Sequence, residues 1–512
     1  MIFIYHANEK IARIEDNLGQ LIDFDATVSI TEGLFQIAIN YPNSIVVWCA
    51  IEYREYLNIS ELSTLFHHHK LMLSYKPSDS NYLANSIGYV DESLFVKVNK
   101  KVSFPSWQMS SAVGMIHASV LLEISTKIPF ESDFDYYLNS LAKLNIEKGL
   151  LCYSEPKLIK DFDKKEITVH SNFTLFRFVK QHYKARWIFL LFINLFFYER
   201  KLLVFPFLAS FFYKKRNNNT FNLEKINVQS SRQLRIDKTI DVIIPTIGRK
   251  NYLYDVLHDL AKQTILPVKV VIVEQNPIVN SKSELEYLMT EVWPFEIKHI
   301  FTHQAGACNA RNLAIKEIDS EWVFLADDDI IFKSNFFKNA FQYIEKFGAT
   351  AVSFSCLRKG EKSALNTVVQ WLSFGSGCSI VASRNLKNCI FGMGYEFGYG
   401  EDSDFGMQLR NLGQDVLYFP KPKILHLKAP DGGFRMKPVL KWSNDEIQPK
   451  PSPTVMLFIL KNNTKQQLLG YKTILFFKYY RHQEIKNPFY YFLNYKKQWN
   501  RSLFWANELN SK

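Results

Sequence analysis

Between residues 240 and 325 short apolar runs alternate with amphipathic stretches, at a spacing few folds can accommodate. Ile240-Asp241-Val242-Ile243-Ile244, stopped by Pro245, reads as a buried strand. Leu253, Val256, Leu257 and Leu260 follow at i, i+3, i+4 and i+7, one face of a helix. Residues 268–273 give a second strand, 297–301 a third, 309–318 another helix and 322–325 a fourth strand. Strand, helix, strand at this spacing is a βαβ unit, which predicts an α/β domain with a mostly parallel sheet flanked by helices. The fourth strand runs into Asp327-Asp328-Asp329. That puts three carboxylates at the C-terminal end of a parallel strand, where such sheets bind ligands.

Carboxylates in that position can hold Mg2+ or Mn2+, which in turn neutralises a diphosphate. A solvated acidic turn is the alternative. In Gly306-Ala307-Cys308-Asn309-Ala310-Arg311-Asn312, Gly306 permits close backbone approach where a helix begins, and the following N–H groups favour an anion. Arg311 can grip phosphate or a neighbouring carboxylate in bidentate fashion, or lie on the surface of an ordinary helix. Gly398-Tyr399-Gly400-Glu401-Asp402-Ser403-Asp404 opens a helix that Gly413 closes. Acids there either favour the helix N-terminus or supply a general base for an acceptor hydroxyl. His426 follows a strand at 416–419 and is a candidate metal ligand because the acids are present.

Together these pieces resemble the family-two glycosyltransferases of the GT-A fold, over residues 240–430. The matching parts are Val242-Ile243-Ile244-Pro245-Thr246, Gly306…Ala310-Arg311-Asn312, the Asp327-Asp328-Asp329 "DXD" triplet, Gly375-Ser376-Gly377…Arg384 and the Gly400-Glu401-Asp402 "ED" motif. The resemblance implies a nucleotide-sugar donor, a divalent cation and inversion at the anomeric carbon. By position it places Pro245 and Thr246 in the nucleotide pocket and Asp327 and Asp329 on ribose and metal. Asp402 becomes the base, with Glu401 beside it. One departure concerns the end of the second strand. The family usually has paired acids there; this chain has Glu274-Gln275-Asn276, so Glu274 alone is left to contact base or ribose.

The rest of the chain is read from composition and pattern. Residues 214–238 are polar and read as a linker. Just before it, 187–198 (WIFLLFINLFFY) and 202–213 (LLVFPFLASFFY) are aromatic-rich runs flanked by Lys180, Lys184, Arg186 and Lys214 to Arg216. Both are short of the ~20 residues a spanning helix needs. They are either core helices or an in-plane element that docks on anionic headgroups. The N-terminal half repeats the C-terminal one weakly: 111–119 resembles 375–383, Asp133-Phe134-Asp135 resembles Asp402-Ser403-Asp404, and 151–159 resembles 417–425. Val47-Trp48-Cys49-Ala50-Ile51-Glu52 stands where the acidic triplet would fall, so that copy lacks a metal pair. Residues 426–435 carry a glycine pair suited to a closing loop or to a plain surface loop. The tail interleaves basic and aromatic residues, in Phe476-Phe477-Lys478-Tyr479-Tyr480-Arg481 and Tyr490-Tyr491-Phe492. That pattern suits membrane headgroups or a packed helical cap better than nucleic acid.

The expected organisation is an α/β domain at 1–165, a degenerate relative of the catalytic one, then a helical segment and linker at 166–238. A GT-A domain at 239–435 and a helical tail at 436–512 complete it. Charged content of 22% and hydrophobic content of 47% exclude wholesale disorder, and a net charge of +12 suits phosphate-bearing partners. The six cysteines form no CxxC, and residues 1–13 contain no apolar signal region, so a reducing cytosol is expected. The resulting reading is a peripheral enzyme on the inner face of the cell membrane. It transfers sugar from a nucleoside-diphosphate sugar to a lipid-linked saccharide in surface polysaccharide synthesis, with Mn2+ or Mg2+ and without nucleic acid. The rivals are a nucleotidyltransferase, which needs no base at Glu401-Asp402, and a nucleotide-sugar-binding scaffold, which needs no acidic triplet.

Overall fold

Seven short segments of the N-terminal third pair into one sheet. They are β1 (Ile2–Ala7), β2 (Lys10–Asp16), β3 (Ile45–Ala50), β4 (Leu71–Tyr75), β5 (Phe104–Pro105), β6 (Val113–His117) and β7 (Leu151–Ser154), in the order β2-β1-β3-β6-β4-β7-β5. The structure, a computed structural model, describes residues 1–77, 82–93, 97–124, 128–160, 171–216, 222–234, 237–363, 365–375, 377–429 and 438–511. The sheet belongs to a unit formed by Met1–Arg232 and Asn463–Glu484. Gln233–Asn462 and Ile485–Lys512 form a second unit.

The second unit is built on β8 (Ile240–Thr246), β9 (Lys269–Gln275), β10 (Glu296–Thr302), β11 (Trp322–Ala326), β12 (Ile330–Ile331), β13 (Ala351–Leu357), β14 (Val369–Gln370), β15 (Cys378–Ala382) and β16 (Leu417–His426). Their order is β10-β9-β8-β11-β15-β13-β16-β12, with β14 also on β16. The strip β10-β9-β8-β11 is parallel, as the βαβ pattern predicts. Beyond it the sheet is mixed: β15 runs antiparallel to both β11 and β13, while β13 and β16 are parallel. The mixing was hidden because an apolar run reads the same whatever the direction of its strand. Every residue of β11 is buried.

The weak sequence repeat has a structural counterpart. In the first unit β1 and β3 are parallel, β3–β6 and β6–β4 antiparallel, β4–β7 parallel and β7–β5 antiparallel. In the second, β8 and β11 are parallel, β11–β15 and β15–β13 antiparallel, β13–β16 parallel and β16–β14 antiparallel. Six strands thus recur in the same chain order, spatial order and direction. Among its described residues the first unit has no counterparts of β9 and β10; the antiparallel β2 takes that edge.

The expected separate segment at 166–238 packs into the first unit. Leu175, Phe176 and Val179 of the Asn172–His182 helix, and Ile188, Leu191 and Leu195 of the Arg186–Glu199 helix, share one core with Ile4, Val46 and Trp48. The other face of Arg186–Glu199 and much of the short Val204–Ser210 helix remain open. Among the described residues no helix is long and apolar enough to cross a membrane. The expected tail is divided: the Lys465–Tyr480 helix joins the first unit, and the Pro488–Asn510 helix packs on Pro453–Asn462 in the second. Tyr491, Tyr495, Trp499, Ser502, Ala506 and Leu509 form its buried stripe, at helical spacing. This aromatic tail is therefore a packed cap over that stripe.

Candidate active site

The C-terminal ends of β8 and β11 lie side by side, because Val242 and Ile243 pair with Phe324 and Leu325 in parallel register. Asp327, Asp328 and Asp329 therefore leave the sheet beside Pro245 and Thr246. The three acids have separate fates. Asp328 turns inward, accepting from the Thr246 hydroxyl at 2.7 Å and from Arg249 at 2.6 Å. Burial pushes its carboxyl up to about 6, and Arg249 only partly offsets this. Thr246 and Asp328 are thus mutually satisfied inside the fold.

Asp327 and Asp329 face the same space as His426. The antiparallel pairing of Ile330 with His426 brings the end of β16 back to the triplet. One ligand atom each from Asp327, Asp329 and His426 lie within 4.8 Å of one another. His426 Nε2 is 3.2 Å from Asp329, whose other oxygen accepts from the Ala429 N–H at 2.9 Å. Burial disfavours the Asp329 charge, but His426, the Ala429 amide and Arg249 outweigh it and lower its pKa. The hydrogen bond to Asp329 raises that of His426. Gly377 explains how Asp327 fits: a Cβ there would lie 2.1 Å from its carboxylate.

Arg311 links this cluster to the second acidic motif. It is buried, donates to Asp327 at 3.2 Å and lies over the Phe391 ring. It also feels the charges of Glu401 and Asp402, which open the Glu401–Asn411 helix. Burial, then the Asp402 charge, pushes the Glu401 carboxyl up to about 7. One carboxylate oxygen of Asp402 is buried without a hydrogen-bond partner, a deficit that an arriving hydroxyl would repair. Asp404 is the structural acid of the motif, held by Tyr395 at 2.9 Å, Gln408 at 3.0 Å and Asn462 at 3.2 Å.

Two expected donor contacts are engaged within the chain. The anion at the N-terminus of the Ala307–Ile315 helix is the Glu396 carboxylate, which accepts from the amides of Cys308 at 3.2 Å and Asn309 at 2.9 Å. Gly306, at φ +141°, makes room for it: a Cβ there would sit 2.2 Å from Glu396. Glu274 accepts from His299 at 2.9 Å and from the Glu284 amide at 2.9 Å. Burial opposes its ionisation, but these donors outweigh it and lower its pKa. Gln275 bridges the neighbouring strand ends, accepting from the Gly306 amide at 2.6 Å and reaching the Thr246 carbonyl. Arg249, Glu396 and Gln275 were not singled out from sequence. Arg249 alone carried a signal, as a cation just after the first strand. The loop suggested for 426–435 lies outside the described residues from 430 onward.

Comparison with known proteins bears on this unit. The model of "Glycosyl transferase family 2" matches residues 241–396. The glycosyltransferase GlyG of Streptococcus pneumoniae serotype 4 (strain ATCC BAA-334 / TIGR4) is 23% identical over 117 residues, which are 23% of this chain and 38% of that protein. The chain thus spans well under half the length of that relative. Two solved structures are similar at low identity. S. aureus TarS 1–349 in complex with UDP-GlcNAc is 18% identical at a TM-score of 0.37, covering 52% of this chain and 79% of that one. GalNAc-T7 with UDP, GalNAc and Mn2+ is 14% identical at a TM-score of 0.33, covering 47% and 54%.

Proposed function

We propose, on the premise that residues 241–396 are a glycosyl transferase family 2 domain, that this chain moves a sugar from a nucleoside-diphosphate sugar to a saccharide acceptor with inversion. The observation that carries the reading is the convergence of Asp327, Asp329 and His426 within 4.8 Å, with Arg311 joining them electrostatically to Glu401 and Asp402. Two carboxylates and an imidazole are an oxygen-and-nitrogen donor set, which fits Mn2+ and, less well, Mg2+. Such an ion would supply positive charge against the leaving diphosphate. The chain's own residues do the rest. Arg311 holds Asp327 in place, and His426 orients Asp329. Asp402 takes the acceptor hydroxyl proton as the new C–O bond forms and the bond to the diphosphate breaks. Glu401, pushed up to about 7 by burial and then by the Asp402 charge, is largely neutral below that pH. The acceptor we assign is a lipid-linked saccharide at the inner face of the cell membrane, in surface polysaccharide synthesis. Its support is the open aromatic and basic surface over residues 186–216.

A screen of nucleotide-sugar turnover with Mn2+ tests this. Turnover of at least one donor is expected, lost in EDTA and restored by Mn2+ or Mg2+. Asp329→Ala should be inactive with its fold intact. Full turnover in EDTA would remove the metal from the reading.

A further inference from the structure

The first unit has an unassigned cavity of about 440 Å³ between the Asn172–His182 helix and the segment after Val204–Ser210. Arg177, Lys214, Lys215 and Arg216 line it, against one carboxylate, Glu131. Arg177 donates to both Glu131 oxygens, at 2.7 and 2.8 Å, and Arg216 donates to Glu131 and to Ser140. Even so, the Nε atoms of Arg177 and Arg216 are buried without partners, and the Arg216 side chain is only 8% exposed. Two lysines and two arginines around a cavity, against one carboxylate, suit a phosphate group.

The cavity is continuous with an open aromatic face. Arg177 lies over the Tyr213 ring at 5.1 Å, and Lys180 over Phe211 at 5.4 Å. Phe211 packs with Phe189 and Phe207. Beside them Phe205 is 79% and Phe212 90% exposed, so packing within the unit cannot account for these rings. Aromatic rings next to cations match the two layers of a membrane interface, acyl boundary and headgroup.

We propose that this face docks on an anionic phospholipid bilayer, with the rings entering the interface and the cavity taking a headgroup phosphate. The inference rests on the membrane-bound part of the reading above and is independent of the sugar chemistry. Lys214 and Lys215 are exposed, so reversing their charge leaves the fold in place, which the melting temperature checks. Vesicles of phosphatidylcholine, with and without phosphatidylglycerol, are the probe. The full chain should sediment with the anionic vesicles and not with the neutral ones. K214E/K215E should weaken this binding at least about tenfold. F205S/F212S should weaken it too, and the binding that high salt leaves should vanish in that variant. Inorganic phosphate at constant ionic strength should not release the protein; release would make the cavity a site for a free anion. Binding unchanged in K214E/K215E would overturn the headgroup site while leaving membrane docking. Failure of the wild type to bind any vesicle would overturn docking itself, whereas donor turnover in the same preparation judges the sugar chemistry separately.

Discussion

Asp402 and Glu401 stand next to each other in sequence, yet their surroundings prepare them differently. Asp402 has a buried carboxylate oxygen with no hydrogen-bond partner, which suits the base role proposed for it. Asp402→Asn keeps the shape and removes the basicity. It should lower transfer by roughly 100-fold or more while donor affinity changes little, as initial rates against donor concentration would show. Glu401 makes a separate prediction. Its folded pKa of about 7 lies above the usual 4.5, so the fold favours its neutral form. The stability this contributes is full below about pH 4.5 and is lost as pH rises through 7. Glu401→Gln removes that dependence. The melting temperature of the variant relative to wild type should therefore be higher at pH 8 than at pH 5, and an unchanged difference would mean Glu401 is ordinarily acidic. At this scale the sequence showed which residues mattered more clearly than what each does. Asp328 and Asp404 look identical to their neighbours in the motifs, and only their contacts with Arg249 and Tyr395 mark them as structural. Glu396 was illegible because its partners, Cys308 and Asn309, are far away in the chain.

Elements were legible where the apolar pattern was long and unmixed. The strands β8, β9 and β11 are buried along nearly their whole length, so continuous apolar runs marked them. Strands such as β5 and β14, of two residues each, leave no period to read. The Pro488–Asn510 helix shows why composition alone misleads. Its aromatics divide between a buried stripe and exposed Phe489, Tyr490 and Phe492, so one segment carries two signals. The stripe makes a testable claim. Trp499→Ala removes a buried indole from the packing on Pro453–Asn462 and should cost about 3–5 kcal/mol in unfolding free energy by denaturant titration. Phe489→Ala, at an exposed ring, should cost less than about 0.5 kcal/mol.

The described residues hold two sheets with a shared plan and one acidic cluster close enough to take an ion. Where β11 leads into Asp327-Asp328-Asp329, β3 leads into Ile51-Glu52-Tyr53. Among the described residues the one group of ligands close enough for an ion is Asp327, Asp329 and His426. A calorimetric Mn2+ titration should accordingly saturate at about one ion per chain, and Asp327→Asn should abolish the isotherm while Glu52→Gln leaves it intact. A second equivalent site would contradict the lack of a metal pair read in the N-terminal copy. The repeat could be glimpsed in sequence only at β6, β7 and the Asp133 turn. Sheet topology tolerates substitution of nearly every residue as long as strands stay apolar, so the plan outlasts the letters that encode it.

Both units are discontinuous in the chain, and this has a consequence for how the protein is made. The Lys465–Tyr480 helix belongs to the unit that begins at Met1, and Gln467 within it donates to the carbonyls of Asp91 and Ser93. A ribosome reading from the N-terminus finishes β1 through β7 early, yet cannot deliver this helix until it has passed the entire acidic cluster. The unit begun first must wait, one side uncovered, while the other is being synthesised. Neither is whole until its late helix has been made, so birth order and order of closure are uncoupled here, and the waiting surface is where a nascent chain of this kind would need shelter.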